Sequence, residues 1–295
     1  MAMTSAAQAL CRLADRDQPI AAIEALVDKL LEMAEADLPP VPLEVVASFR
    51  GIREISVAEM PRSGQLQREG GHYIVVVNAE DSASRQRFTV AHEICHTFFH
   101  EAQQVTPVNP PEWTGRYDER SDEEYLCDVG AGRMLLHPAW LQPRLESSSP
   151  TLEALLEIGD HAGASLEATA FQVSRMRIWN ATFVFWEPGY RKVELARLDQ
   201  KVLPGFDDGT MKPEAKLRAR RIYGHPDSPF LALNKSIGSE TVIGRAWTER
   251  TTTQGIEQLP TSTRVHQAEC RSMYAPYRGP DGRVRDRVLT CVNWR

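Results

Sequence analysis

The sequence predicts an α+β protein: a compact core in which a helix carrying two histidines lies beside a small sheet, followed by a strand-rich C-terminal region. Three observations lead there. Apolar residues recur at helical spacing in several stretches before residue 180. A block of β-branched residues in HYIVVVNA, at 72–79, interrupts that pattern early. Short strand-like runs divided by turn residues take over from about residue 181. At 295 residues the chain is about twice the usual single-domain length, so two domains or one with a large appendage are expected, and the patterns divide it into an N-terminal helical segment at 1–44, a core at 45–180 and a C-terminal domain at 181–295.

Taken in order, residues 18–35 read as a helix that Pro39 and Pro40 stop, and a short helix is expected at 42–49. Strands follow at 53–60 and 72–79, joined by a polar, glycine-containing stretch. The pattern returns to helix from Ser84 to Glu101, and the proline-rich segment 102–120 reads as a loop. A helix from Ser121 to Leu136 ends at Pro138; two more are expected at 151–160 and 166–178, with Ser165 placed as an N-cap. Beyond them ATFVFWE at 181–187, RKVELARL at 191–198, FLALN at 230–234, TVIGRAW at 241–247 and DRVLTCVNW at 286–294 read as strands.

A hydrophobic share of 42% is enough to fill a core and excludes a disordered chain. The formal net charge of −6 disfavours a surface that coats nucleic acid throughout. Charge is unevenly spread, however: residues 1–200 hold 18 Lys+Arg against 30 Asp+Glu, and residues 201–295 hold 16 against 10. The first part is therefore at −12 and the second at +6, which leaves an acidic partner or nucleic acid open for the C-terminal region. Five scattered cysteines without a CxxC pair argue against a disulfide scaffold or a cysteine-rich zinc module. The start lacks the apolar core of a secretory signal and no run of 18 apolar residues occurs, so a soluble, cytoplasmic protein is expected.

The strongest chemical signal is His92-Glu93-Ile94-Cys95-His96. Residues four apart share a helix face, so both imidazoles can reach one metal ion with Glu93 beside them. Flanking FTVA and TFF make this a largely buried helix, where two histidines and a glutamate without a metal would cost several kcal/mol. Zinc turns the same groups into ligands and a base.

A third protein ligand is required. Phe99 and Ala102 stand where an elongated HExxHxxGxxH motif needs glycine and histidine, which closes that route. In the helix that follows, Glu124 and Asp128 share a face, so that Glu124 can bind zinc while Asp128 accepts the free N–H of a ligating histidine. Glu123, about 100° around that helix, competes for the ligand role, and spacing alone leaves the choice open.

Residues 45–138 resemble the ImmA/IrrE family of bacterial metallopeptidases. That family carries a strand ending in asparagine, here VVVN at 75–78, and an Arg-x-Arg/Lys-Phe-Thr-x-Ala-His-Glu-x-x-His helix, here RQRFTVAHEICH at 85–96. Its later helix is matched by EYLCD at 124–128 and LLHP at 135–138, and SLEAT at 165–169 is similar to a follow-on segment. The resemblance implies a zincin-like core with His92, His96 and Glu124 as zinc ligands, Glu93 as base, and a protein substrate, by resemblance a transcriptional repressor. Gly130 and Gly132 depart from the Phe-Ala-Ala that the family tends to carry, and the first 40 residues lack a convincing helix-turn-helix DNA reader.

Other residues have plainer readings. Tyr117 and His137 are the nearest candidates for an oxyanion donor, although a loop residue and a helix-end residue are the stronger readings of them. His100 reads as a helix-end polar group. Cys95 and Cys127 read as small buried hydrophobes, with oxidation sensing as the rival. Arg85 and Arg87 read as a solvated helix start or as partners of the acidic loop. The strand at 73–78 is expected to be a sheet edge that pairs with an extended substrate, with an internal core strand as the rival reading. The rival to an enzyme is a non-proteolytic metal-binding regulatory module that meets protein or DNA through its C-terminal region.

Overall fold

The computed structural model describes residues 4–105, 122–191, 193–194, 214–261, 264–279 and 282–295. The α+β architecture divides into two compact units, Met1–Ser147 with Leu155–Gln172, and Ser148–Ala154 with Val173–Arg295. No helix among the described residues is long and apolar enough to cross a membrane.

The first unit opens with a helix outside the sequence expectations, α1 (Ser5–Ala14), whose Thr4 cap accepts the Ala7 N–H at 3.4 Å. α2 (Pro19–Met33) has proline at its first position, where a missing N–H leaves no bond unmade, and buries Ile23, Val27, Leu30 and Leu31. After α3 (Leu43–Ser48) come β1 (Ile52–Ala58), β2 (Gly64–Glu69) and β3 (His72–Asn78). They form one sheet in the order β1-β3-β2, with β1 parallel and β2 antiparallel to β3. Gly70 and Gly71, at φ +53° and +87°, make the two-residue turn that folds β2 back on β3.

This order corrects the expected substrate edge. β3 is the central strand, paired along its length with β1 on one side and β2 on the other. The open edge beside the next helix belongs to β2, within the stretch expected to be only a connection.

The helices α4 (Ala83–Val105), α5 (Asp122–Leu135), α7 (Leu152–Ala162) and α8 (Leu166–Met176) lie where the periodicity places them. Pro138 ends α5 but also opens α6 (Pro138–Glu146), where it again stands in the first turn. α1 and α2 pack on α4 and α5, burying Leu10, Leu31, Ile94, Phe99 and Met134.

The second unit holds a five-stranded antiparallel sheet of β4 (Thr182–Gly189), β5 (Lys216–Gly224), β6 (Thr252–Pro260), β7 (Val265–Tyr274) and β10 (Val288–Trp294), ordered β5-β4-β10-β7-β6. β8 (Tyr277–Arg278) and β9 (Val284–Arg285) pair separately. Trp186, Leu217, Ile243, Leu259, Val288 and Val292 form its core.

Two expected strands are corrected. TVIGRAW is the helix α9 (Val242–Thr248), because Thr241 accepts the Gly244 N–H at 3.0 Å and nucleates a helical turn despite the β-branched pair that follows it. FLALN is irregular: Asn234 has φ +63° and its N–H reaches Ala219 O at 2.8 Å, returning the chain along β5. Most of the expected strand at 191–198 lies outside the described residues.

A clamp ties α2 to the end of α5. Arg133 donates to both Asp28 oxygens, at 2.5 and 2.7 Å, and His137 lies 3.2 Å from Asp28 Oδ1. Burial opposes ionisation of Asp28, but hydrogen bonds from His137 and Arg133 outweigh it and lower its pKa to about 2. Asp28→Asn is expected to cost roughly 1 kcal/mol at neutral pH, discounted because 39% of the Asp28 side chain remains exposed. Since the folded pKa is depressed, the stabilisation is present above the unfolded value of about 3.9 and is lost as pH falls through about 2. Denaturant titrations of both proteins should therefore diverge at neutral pH and converge in acid. A gap of the same size at both ends would rule out the ionic clamp.

Candidate metal centre

α4 is long enough to carry the whole His-Glu-x-x-His stretch, and its apolar flanks, Val90, Ala91, Phe98 and Phe99, are buried. With His92 and His96 one turn apart, their Nε2 atoms lie 3.1 Å from each other. α5 begins with Asp122, Glu123 and Glu124, acidic residues favoured in a helix's first turn, and runs beside α4 so that this end meets the two rings.

Glu124 spans both imidazoles. Its Oε2 is 3.2 Å from His92 Nε2 and its Oε1 is 3.6 Å from His96 Nε2. Atoms ligating one tetrahedral zinc at 2.0–2.2 Å lie about 3.3–3.6 Å apart, so this spacing fits a metal-binding donor set. Asp128 Oδ1 is 3.1 Å from His92 Nδ1, the pairing expected from the i, i+4 spacing on α5. Glu123 Oε1 is 2.8 Å from His96 Nδ1. Each ring thus presents Nδ1 to one carboxylate and Nε2 to the common centre. The Glu123 contact escaped the sequence reading, which weighed Glu123 only as a rival to Glu124 for the ligand role; the signal lay in consecutive acids 100° apart meeting two rings.

Electrostatics point the same way. Burial lowers the pKa of His92, but Asp128 and Glu124 more than offset this and raise it to about 9. Positive charge is stabilised at the place where the donors converge. The Glu93 carboxyl is raised, chiefly by burial and against the pull of His96 and His92; the Leu66 backbone hydrogen-bonds it. Odd-numbered residues of β2 bond to β3, as Ser63 O does to Asn78 N at 2.9 Å, so Leu66 turns its N–H to the open edge where Glu93 lies. Gly64 completes the fit: a Cβ there would lie 2.2 Å from Thr89 Cγ2 and 3.4 Å from Glu93 Oε1.

His92, His96 and Cys127 also form a candidate metal-binding triad, their ligand atoms within 4.8 Å of one another. Cys127 is fully buried and its thiol is raised well above the usual range by that burial, whereas Glu124 reaches both rings from a half-exposed position. Cys95 is likewise buried with its thiol raised.

Several expectations do not reach this centre. His137 is held by Asp28, and Tyr117 lies outside the described residues. His100 stacks on Tyr73 with ring centroids 5.4 Å apart. Arg85 bonds Ser63 and Arg87 bonds Val41 O, while most of the acidic loop expected to pair with them lies outside the described residues.

The stretch from β1 to α8 carries every group of this centre. Residues 51–174 match the IrrE N-terminal-like domain family. This places the segment with the IrrE/ImmA peptidases, in agreement with the motif resemblance. The radiation response metalloprotease IrrE of Deinococcus deserti is 28% identical over 159 residues, covering 52% of this chain and 54% of the relative. The protein of the same name from Deinococcus radiodurans is 25% identical over 192 residues, covering 63% and 57%. The chain therefore spans little more than half the length of these IrrE relatives. A Mycobacterium tuberculosis transcriptional regulator has a similar fold, with TM-score 0.54 and 11% identity over 99% of this chain and 82% of that one.

Proposed function

We propose that the chain is a zinc-dependent endopeptidase acting in the cytoplasm on a regulatory protein, with a transcriptional repressor as the substrate class. The observation that carries this reading is the convergence of His92 Nε2, His96 Nε2 and the Glu124 carboxylate beside the buried carboxyl of Glu93. His92, His96 and Glu124 are the proposed ligands, with Asp128 and Glu123 fixing the ring orientations. Zinc held there would acidify a water molecule and polarise the scissile carbonyl. Glu93 accepts the proton that the attacking water gives up, as the new C–O bond forms, and delivers it to the departing amide nitrogen as the C–N bond breaks. Its raised pKa suits both roles, and the Leu66 N–H keeps its carboxyl oriented. The open edge of β2 offers backbone groups to an extended peptide.

One zinc per chain is expected. His92→Ala and His96→Ala should each abolish near-stoichiometric binding and Glu124→Gln should weaken it, whereas Cys127→Ser should leave metal content unchanged. Metal analysis after gel filtration decides between Glu124 and Cys127, since zinc that survives Glu124→Ala but is lost in Cys127→Ser would reverse the assignment.

Glu93→Gln should keep fold and zinc but lose turnover by roughly 10²–10⁴-fold, because an amide cannot take the proton. The check is cleavage of candidate regulators, followed by electrophoresis and mass spectrometry. Comparable turnover in the variant would exclude Glu93 as the base.

Residues 181–295 are proposed to form a regulatory or partner-binding domain, a reading supported by the change from −12 to +6 in formal charge near residue 200. A chain ending at residue 180 should stay folded and zinc-loaded but change in substrate selectivity or basal activity. Unaltered cleavage and partner binding would remove the regulatory role, and loss of folding would remove the domain boundary.

A further inference from the structure

A cavity of about 330 Å³ opens between the sheet and the C-terminal half of α4, lined among others by Arg68 of β2, Tyr73 of β3, Arg50, and Thr97 and Glu101 of α4. It lies just past His96 along the helix and at the far end of the edge strand that touches Glu93.

Its charges are unequally committed. Arg50 donates to Thr97 Oγ1 at 2.8 Å and to Glu101 Oε2 at 2.7 Å, and its guanidinium lies 4.3 Å from the centre of the Phe98 ring. Glu101 is thereby neutralised, and Thr97 gives its own proton to Ile94 O at 2.6 Å. Arg68 is exposed and makes no hydrogen bond or ion pair among the described residues. Tyr73 stacks on His100, while its hydroxyl makes no hydrogen bond among the described residues. The uncommitted groups of the cavity can all donate, the Tyr73 hydroxyl and the Gln104 amide being able to accept as well, and Arg68 alone among them carries a full positive charge. A carboxylate is the ligand that all of them satisfy.

Register gives the position. Leu66 and Arg68 are two apart on β2, opposite Val75 and Tyr73, and so project on the same face of the sheet about 6.8 Å apart. A peptide laid along β2 alternates in the same way. The residue in register with Leu66 meets Glu93, and the residue two positions along meets Arg68.

We propose that this cavity is a specificity pocket that takes an Asp or Glu side chain two residues from the peptide position facing Glu93. The proposal deepens the peptidase reading and rests on it for the alignment of the peptide, but the pocket can be tested by binding as well as by cleavage.

The experiment uses the full-length, zinc-loaded protein and its Glu93→Gln form, each with Arg68, Arg68→Gln or Arg68→Glu. The probe is a mixture of random dodecapeptides. Cut products are sequenced by mass spectrometry; peptides captured by the Glu93→Gln proteins are eluted and sequenced alongside. With Arg68 in place, Asp and Glu should be enriched roughly tenfold at one position two residues from the cut, and enriched among captured peptides. Arg68→Gln should flatten the preference, and Arg68→Glu should turn it toward Lys and Arg. Cleavage without acidic enrichment at that position, or enrichment that survives Arg68→Glu, overturns the pocket and leaves the peptidase reading intact. Acid-selective capture that reverses in Arg68→Glu, with no cleavage by the parent protein, upholds the pocket and overturns the peptidase reading. Neither capture nor cleavage overturns both.

Discussion

Everything at the candidate metal centre depends on how closely α5 approaches α4 and α2. Gly130 permits that approach: a Cβ there would meet Cys95 Sγ at 2.7 Å and Ile23 Cγ1 at 2.9 Å. Gly132 is bounded in the same way by Gln172 Nε2, at 2.4 Å from such a Cβ. Glycine inside a helix costs about 1 kcal/mol relative to alanine, whereas forcing extra atoms into a packed interface costs about 1–3 kcal/mol. At Gly130 the second term wins, so a residue that weakens α5 locally sets the spacing at which its carboxylates reach the imidazoles, while Gly132 makes room for the Gln172 side chain of α8. The departure from Phe-Ala-Ala thus has a packing explanation in this chain's own interface.

That spacing fixes the electrostatics. Three acidic residues of α5 act on two rings of α4, one on each Nδ1 and one across both Nε2 atoms. Concentrating carboxylates around partly buried groups is unfavourable unless positive charge joins them, and the raised pKa of His92 expresses that demand through a proton. The neighbouring thiols answer differently. Burial, aided by the nearby carboxylates, holds Cys95 and Cys127 protonated, and they serve as small apolar fillers of the helix interface.

Much of this was legible because the helices of the first unit carry their own signals. Four-residue spacing put His92 with His96 and Glu124 with Asp128, and prolines and caps marked helix limits within a few residues. What stayed hidden depends on pairing. GQLQRE of β2 alternates weakly and is half exposed, so its strand character comes from β3 and from the Gly70-Gly71 turn; that dipeptide was the available signal. In the second unit, KLRARRIYG of β5 lies outside the expected strands, its four basic residues masking the strand pattern, yet Arg218 is buried at 1% exposure. Its guanidinium is satisfied by Gly189 O, Asn234 O and Glu194, groups that sequence distance separates and only the fold assembles. TVIGRAW failed in the opposite sense, since a local cap at Thr241 overrode β-branched propensity.

The hidden strand is also the one that completes the site. Residues on α4 and α5 account for the proposed ligands and their supporting carboxylates, but Glu93 is buried against β2, where Gly64 leaves it room and Leu66 supplies a donor. A carboxyl so placed belongs to two elements at once: the helix sets its distance from the histidines, and the strand edge sets its orientation. The same edge offers the remaining backbone groups along which a peptide would align. In the proposed peptidase reading, base and peptide would be positioned by one strand edge, so the distance between them would not depend on a flexible side chain finding its place after binding.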